Sequence, residues 1–434
     1  MKKLLWNILV TFALPVFLLA ALLPSGKRKH LIWGSRCIIS AKYWSQAMRK
    51  QGHPSLTIME GWFPINARSD FDLYFEDLAP AWLPGPLRNG IGACRALIFL
   101  LRRGRVLHTF YDGFALRGTI YWKLEAWFCR IARVKTVVTA YGFDSYIYSQ
   151  VRDPSIRHGL LASYHGQALV ETQVQAQVNH WNRVADAVLI GPMVDGLGRW
   201  DVTTPCLFTI DVDQWVAKTA YSSADGRDQP VRILHTPNHR GFKGTEFLLA
   251  AVDQLKAEGL LIELVLLEGV PNSQVREVMR SVDIMADQFI SYGYALSAIE
   301  GMATGLPVLC NLDDVYYTRV FRRYAFLDEC PAVSTTPEQL ASDLRILIQN
   351  PQLREQLGRA GRAYVEKYHG DEMAWHLFGS IYERILDGRD VDLIHLFHPL
   401  KSEFNRRRPP IDHPLECSRL PPAKQATGLR NETV

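Results

Sequence analysis

At 434 residues, 48% of them hydrophobic and with 11 Trp, 17 Tyr and 19 Phe, the chain can fill two packed α/β cores and is excluded from the disordered class. A formal charge of +5, from 49 basic and 44 acidic residues, is a small excess, and no body segment interleaves basic runs with aromatics, so no nucleic-acid partner is expected. Cys37, Cys94, Cys129, Cys206, Cys310, Cys330 and Cys417 are odd in number, widely spaced and free of CxxC or Cys/His clusters, which excludes a disulfide framework and a structural zinc and points to a reducing compartment.

Leu4 to Leu23 is an almost unbroken apolar run, with Lys2 and Lys3 before it and Lys27, Arg28 and Lys29 after it. That is close to the roughly 20 residues that cross a bilayer. A cleaved signal peptide and a buried helix are the alternatives, but the run is long for a signal, lacks an A-x-A-like site and carries Pro15 in its middle. Residues 1–28 are therefore read as an uncleaved membrane anchor, single-pass or peripheral. The cysteines favour a cytoplasmic body on a cell membrane.

Residues 29–220 are expected to form a first α/β domain. His30 to Gly34 reads as a buried strand, Ala41 to Lys50 as a helix ending at Gly52, and Pro54 to Ile58 as a second strand. Strand, glycine-bearing turn, helix, strand is the opening unit of a nucleotide-binding fold. Arg105 to Phe110, Lys135 to Thr139 and Ala187 to Gly191 extend the sheet, the first two ending in polar residues where a parallel sheet lines its ligand crevice. The polar stretch Tyr221 to Gln229 marks a linker.

A second domain, 230–388, restarts the alternation. Val231 to Thr236 is a strand, Thr245 to Glu258 a helix, Leu260 to Leu267 a near-continuous apolar strand and Leu306 to Leu309 another; Pro337 to Gln349 and Pro351 to Leu386 are helical patterns. Periodicity is lost beyond Asp387, so 389–434 is expected to be a flexible tail.

No Ser-His-Asp set, Walker A loop, HExxH or GxGxxG is present, which removes the usual support for hydrolase, kinase and dehydrogenase chemistry. His235 to Thr245 joins a strand to a helix and brings Arg240, Lys243 and Gly244 to a helix amino terminus, where free backbone N–H groups suit a diphosphate. A Lys-Gly-Thr at a helix start is equally a common surface turn. Farther on, Asp287 to Val308 places Tyr292 and Gly293 in a small-residue loop and Glu300 on the helix that follows. Glu300 suits hydrogen bonds from sugar or ribose hydroxyls, or it simply caps its helix.

Taken together, the Lys243-Gly-Thr helix start, the apolar strand, Glu300-Gly-Met-Ala-Thr-Gly-Leu-Pro-Val and the closing helix around Arg362 to His369 resemble the second domain of the two-Rossmann-domain (GT-B) retaining glycosyltransferases of the "group 1" family. The resemblance spans roughly Arg232 to Leu386. It implies that Lys243 contacts a donor diphosphate and Glu300 the nucleotide ribose, and that Tyr364 to Leu386 crosses back to the first domain. The first domain is a looser match. Trp44 to Gly52 is similar to the helix after the first strand, Gly34 would sit by the donor phosphates, and Tyr141-Gly-Phe-Asp144 is similar to the family's His-Gly-Ser-Asp turn. Three departures stand out: Tyr292 replaces a glutamate, Tyr141 a histidine and Asn238 an arginine, with Arg240 as a substitute cation.

The reading implied is a metal-independent transfer of a sugar from a UDP- or GDP-linked donor to a glycan or lipid-linked acceptor, with no further cofactor. Asp144, His108 and Tyr141 are the candidates for the acceptor side, although a polar residue ending a strand often satisfies its own turn. The alternatives are a catalytically silent nucleotide-sugar-binding scaffold and a nucleotide-sugar epimerase of the same fold.

Overall fold

The computed structural model describes residues 2–63, 66–191, 194–313 and 317–420. Six parallel strands, β1 (His30–Trp33), β2 (Ser55–Met59), β3 (Leu73–Tyr74), β4 (Gly104–Thr109), β5 (Lys135–Thr139) and β6 (Ala187–Leu189), form one sheet in the order β3-β2-β1-β4-β5-β6. Five more, β7 (Val231–His235), β8 (Ile262–Leu266), β9 (Ile284–Tyr292), β10 (Val308–Asn311) and β11 (Val333–Ser334), form a second parallel sheet in the order β11-β10-β9-β7-β8. Strand order reverses between β1 and β4 and again between β7 and β9. Ligand crevices in such sheets lie outside the carboxyl ends at those reversals. Helices cover the sheet faces, which is why the strands read as apolar runs.

Most of the strands and helices named from sequence are present within a few residues. The short strands β3 and β11 and the helices Gly85–Arg103, Leu124–Ile131, Pro154–Ala168 and Glu171–Val184 were not named from sequence, and β9 runs through Asp287 and Gln288 to Tyr292, where a loop was expected. The helical pattern from Pro351 is two helices, Pro351–Tyr368 and Asp371–Ile385, parted at His369 and Gly370. His369 stops the first by turning its Nδ1 to the Phe208 carbonyl at 2.7 Å. The second helix crosses to the first domain. Lys50 Nζ meets Asp371 at 2.5 Å, and Phe378 packs edge-on against Trp33 and Trp44 at 4.9 and 5.5 Å.

The stretch expected to be a flexible tail is packed as far as residue 420. Leu393, Phe397 and Phe404 are buried in the main core, and the Ser418 carbonyl accepts from Ser334 N at 2.7 Å. The rest of it, 421–434, lies outside the described residues. Six of the seven cysteines are buried and none is paired.

Leu4–Leu22 is long and apolar enough to cross a membrane, with a mean hydropathy of 2.2. It belongs to the helix Lys2–Leu22, which lies along the helix Gly85–Arg103 of the first domain. Gly90 makes the approach possible: a Cβ there would stand 2.9 Å from the Trp6 ring. Phe17 packs edge-on against Phe128, with ring centres 5.7 Å apart.

Candidate functional site

At the carboxyl end of β7 the chain turns through a short helix, Arg240–Lys243, into the helix Thr245–Ala257. Gly244 joins them at φ +79°, a left-handed conformation that side chains other than glycine's resist. His235 ties the turn to the sheet, with Nδ1 on the Ala286 carbonyl and Nε2 on Thr245 Oγ1, both at 2.8 Å. The carbonyl assigns the proton to Nδ1, so Nε2 accepts from the threonine. Burial holds the His235 pKa down at about 4, and the ring stays neutral.

Lys243 points inward from this turn. Its Nζ donates to Asp287 Oδ1 at 2.6 Å, to Gln288 Oε1 at 3.1 Å and to Ser297 Oγ at 3.4 Å, which accounts for all three ammonium protons. The Lys243 and Asp287 side chains are 7% and 1% exposed. Arg240 points elsewhere, to Glu246 at 2.8 Å and Glu268 at 3.1 Å on the surface. Tyr292 closes β9, and its carbonyl and that of Gly293 accept from the Gln288 amide at 3.1 and 3.0 Å. Gly293 has φ +79°, and a Cβ there would press on Tyr317 at 3.2 Å.

Glu300 is buried on the helix Leu296–Ala303, and burial raises its pKa to about 8. Asn272 Nδ2 donates to its Oε1 at 3.0 Å. Arg276, one turn farther along the helix Asn272–Met279, acts against that rise by charge; its guanidinium lies over Trp215 at 4.8 Å and reaches Gln214 at 3.4 Å. Burial raises the pKa of Tyr43, on the first domain's helix Ile39–Lys50, and the Glu300 charge adds to that rise. Asn272, Arg276, Asp287 and Tyr43 were not singled out from sequence, and no motif marks them.

In the first domain, Gly34 follows β1 where a Cβ would stand 2.2 Å from the Ile58 carbonyl oxygen and 2.7 Å from Phe114. Packing alone therefore demands glycine there. His108 stacks on Trp33, ring centres 3.6 Å apart, and shares a 2.8 Å hydrogen bond between Nε2 and the Tyr382 hydroxyl of the crossing helix. Burial holds it well below the usual histidine range. With Gly34, Trp44, Thr109 and Thr139 it lines a small cavity at the β1/β4 reversal. Asp144 satisfies its own turn, accepting from Tyr141 N and Gly142 N at 3.0 and 3.1 Å and from Tyr111 N at 3.0 Å. Burial, with the Asp112 charge second, raises its pKa to about 7. The Tyr141 ring rests edge-on against Phe110 at 5.1 Å and lies 6.0 Å from the Arg36 guanidinium. Arg36 and Arg117 share Glu60 and Asp112 at 2.7–3.3 Å, a compensated cluster beyond β1, β2 and β4.

Lys243 and Glu300 are thus brought to one crevice, and His108, Asp144 and Tyr141 to the other sheet. A helix of the first domain, Pro154–Ala168, lies over the turn that carries Lys243. Ser163 Oγ accepts from Phe242 N at 3.0 Å, Tyr164 meets His239 at 4.2 Å between ring centres, and Gly159 sits against Ile290 and Gly241.

No family model matches the chain, and no curated protein matches it in sequence. Solved structures do match in shape. Staphylococcus aureus TarM, solved as a mutant with fondaparinux, α-GlcNAc-glycerol and UDP, aligns over 82% of this chain and 99% of its own at a TM-score of 0.52 and 8% identity. A sucrose-phosphate synthase from Thermosynechococcus elongatus aligns over 84% and 100% at 0.49 and 14%. A glycosyltransferase from Rickettsia africae aligns over 84% and 100% at 0.48 and 12%. The fold is GT-B, two Rossmann-like domains, as the resemblance implied.

Proposed function

We propose that this chain is a glycosyltransferase that moves a sugar from a nucleoside diphosphate to an acceptor hydroxyl, with retention at the anomeric carbon. The observation that carries the reading is the placement of both Lys243 and Glu300 at the β7/β9 reversal of a GT-B fold, beside the amino terminus of the helix Thr245–Ala257. Glu300 would receive the ribose hydroxyls. Lys243 and the backbone N–H groups of the helix start would take the diphosphate and meet the charge it gains on leaving, a role that calls for no metal. The donor would be linked to UDP or GDP; TarM, a protein of similar fold, was solved with UDP. The acceptor would be a glycan or a lipid-linked sugar in cell-surface assembly, with Asp144 holding the loops that receive it.

Specific contacts favour a second reading, a nucleotide-sugar-binding scaffold without turnover. Lys243 is neutralised by Asp287 and Arg240 by two glutamates, Tyr292 stands where the family pattern has a carboxylate, and Ser163 covers the turn. Calorimetry with UDP, GDP and their sugar conjugates, followed by release of nucleotide with and without lipid-linked acceptor, decides. Binding lost in Lys243→Ala and Glu300→Ala together with acceptor-dependent release supports transfer. Binding without release supports the scaffold, and no binding by folded protein sinks both.

A further inference from the structure

We infer that the helix Lys2–Leu22 lies in the plane of an anionic lipid bilayer surface, with the first domain seated on that surface, rather than crossing it. The inference is independent of whether the second domain transfers sugar.

One face of the helix is committed to the protein. Val10, Phe17, Ala20 and Ala21 are buried against the helices Gly85–Arg103 and Leu124–Ile131. Two of its polar groups are committed too: Asn7 Oδ1 accepts from Ile120 N at 3.1 Å, and Thr11 and Tyr121 share a 2.8 Å hydrogen bond. Arg28 folds back on the carbonyls of Ala21 and Leu101 at 2.9 and 3.0 Å. A helix that crossed the bilayer would surrender its contacts with Ile120, Tyr121 and Leu101 and leave Ala93, Leu97 and Phe128 to water.

The opposite face is as apolar and is bare. Leu4, Ile8, Phe12, Val16, Leu19 and Leu22 follow helical spacing, with Phe12 78% exposed. A helix apolar on all sides requires an apolar partner on all sides, and the body supplies only half of it. Ile120, bonded to Asn7, is 70% exposed, and Trp127, next to Phe128, is 48% exposed. Trp82, at 81%, precedes the end of the helix Gly85–Arg103 that meets Trp6. Bare tryptophans beside an apolar stripe suit the headgroup boundary of a bilayer.

Charge selects a lipid surface over an apolar protein partner. Residues 1–143 carry 20 Lys and Arg against 7 Asp and Glu, a net +13, whereas the remaining 291 residues carry a net −8. No acidic residue occurs before Glu60. At the carboxyl end of the helix, Ser25 N and Lys29 N bond to the carbonyls of Arg102 and Arg103, which gathers exposed Lys27, Lys29, Arg102 and Arg103. None of the four forms an ion pair among the described residues. Burial, then the nearby Arg133, lowers the Arg28 pKa, which places a further cation there. Lysines and arginines near an anionic surface each add to binding, so losing this rim should cost orders of magnitude in affinity.

The test uses the full chain and sealed vesicles of phosphatidylcholine with or without phosphatidylglycerol. Cosedimentation should need the anionic lipid and fall steeply as salt rises. Phe12→Glu with Leu19→Glu should cut binding more than tenfold at an unchanged melting temperature. Lys27→Ala, Lys29→Ala, Arg102→Ala and Arg103→Ala together should cut it at least as far without touching the apolar face. Protease added outside the vesicles should remove an amino-terminal epitope from bound protein. Protection of that epitope would mean the helix crosses and overturns the inference. So would equal binding to neutral vesicles, or a dimer that dissociates on Phe12→Glu while vesicles go unbound, which would assign the face to a second copy.

Discussion

Lys243 and Asp287 form an ion pair at 2.6 Å that is almost wholly withdrawn from water, in the turn where a donor diphosphate would have to bind. A diphosphate can take a proton of this lysine only by displacing Asp287, Gln288 or Ser297. Where it displaces the aspartate, that charge must be met by Ser297 and the Ala295 N–H, and donor binding becomes an exchange of anions around one cation.

Breaking the pair from one side should be costly. Lys243→Met strands a buried carboxylate and Asp287→Leu strands a buried ammonium, each expected to lower stability by roughly 3–5 kcal/mol. The double variant should recover most of that loss. Denaturant midpoints of the four proteins check this, and an additive double variant would mean that the pair is not coupled.

Gly34→Ala should destabilise the first domain whether or not nucleotide is present, because its Cβ would overlap the Ile58 carbonyl oxygen and the Phe114 ring. A lower melting temperature in apo protein is the expected result. An unchanged apo melting temperature with lost nucleotide binding would instead restore the donor-phosphate role implied by resemblance.

Stability should fall as pH rises above about 6.5. Folded Glu300 and Asp144 hold their protons to about 8 and about 7, whereas the unfolded chain releases them in the ordinary carboxyl range. Their contribution is complete below that range and is lost progressively from there up to 7 and 8. His235 and His369, both at about 4 through burial, work in the opposite direction: the unfolded chain takes up protons below about 6.5, so stability is lost as pH falls from there toward 4. Between the carboxyl range and about 6.5 the two pairs offset each other, and above it only the carboxyls act. Urea midpoints across pH should show the fall, and Glu300→Gln should make it shallower.

How far the sequence could be read follows the same physics. Strands β1, β4, β5 and β7 are buried on both faces and announce themselves as apolar runs bounded by turns. β9 hides because Asp287 and Gln288 interrupt its run, and they are tolerated inside only because Lys243 arrives from 44 residues earlier to meet them. The stretch after Asp387 lacks a period because Leu393, Phe397 and Phe404 fill gaps in a core made by other elements. Lys243 and Glu300 were singled out through the family resemblance, as expectations about a donor site. Asp287, Asn272 and Arg276 were not, since each matters through a tertiary contact. Asp144 and His108 followed the plainer alternative: one satisfies its own turn and the other packs under Trp33 and Tyr382.

The helix Pro154–Ala168 tests whether the covered turn must open. Gly241 faces Ala162 closely enough that a Cβ on the glycine would lie 3.2 Å from the alanine's, near the usual Cβ separation of about 3.5–4.5 Å across a disulfide. Ala162→Cys with Gly241→Cys should therefore cross-link on mild oxidation, and the buried native cysteines should stay apart from it. If donor reaches Lys243 by displacing this helix, oxidised protein should bind nucleotide at least tenfold more weakly than reduced protein, with recovery on adding dithiothreitol. Each single-cysteine variant should be indifferent to the treatment, which separates the cross-link from the substitutions. Equal affinity in both redox states would mean that nucleotide does not enter past Ser163, and the turn at Lys243 would then lose its claim to be the donor site.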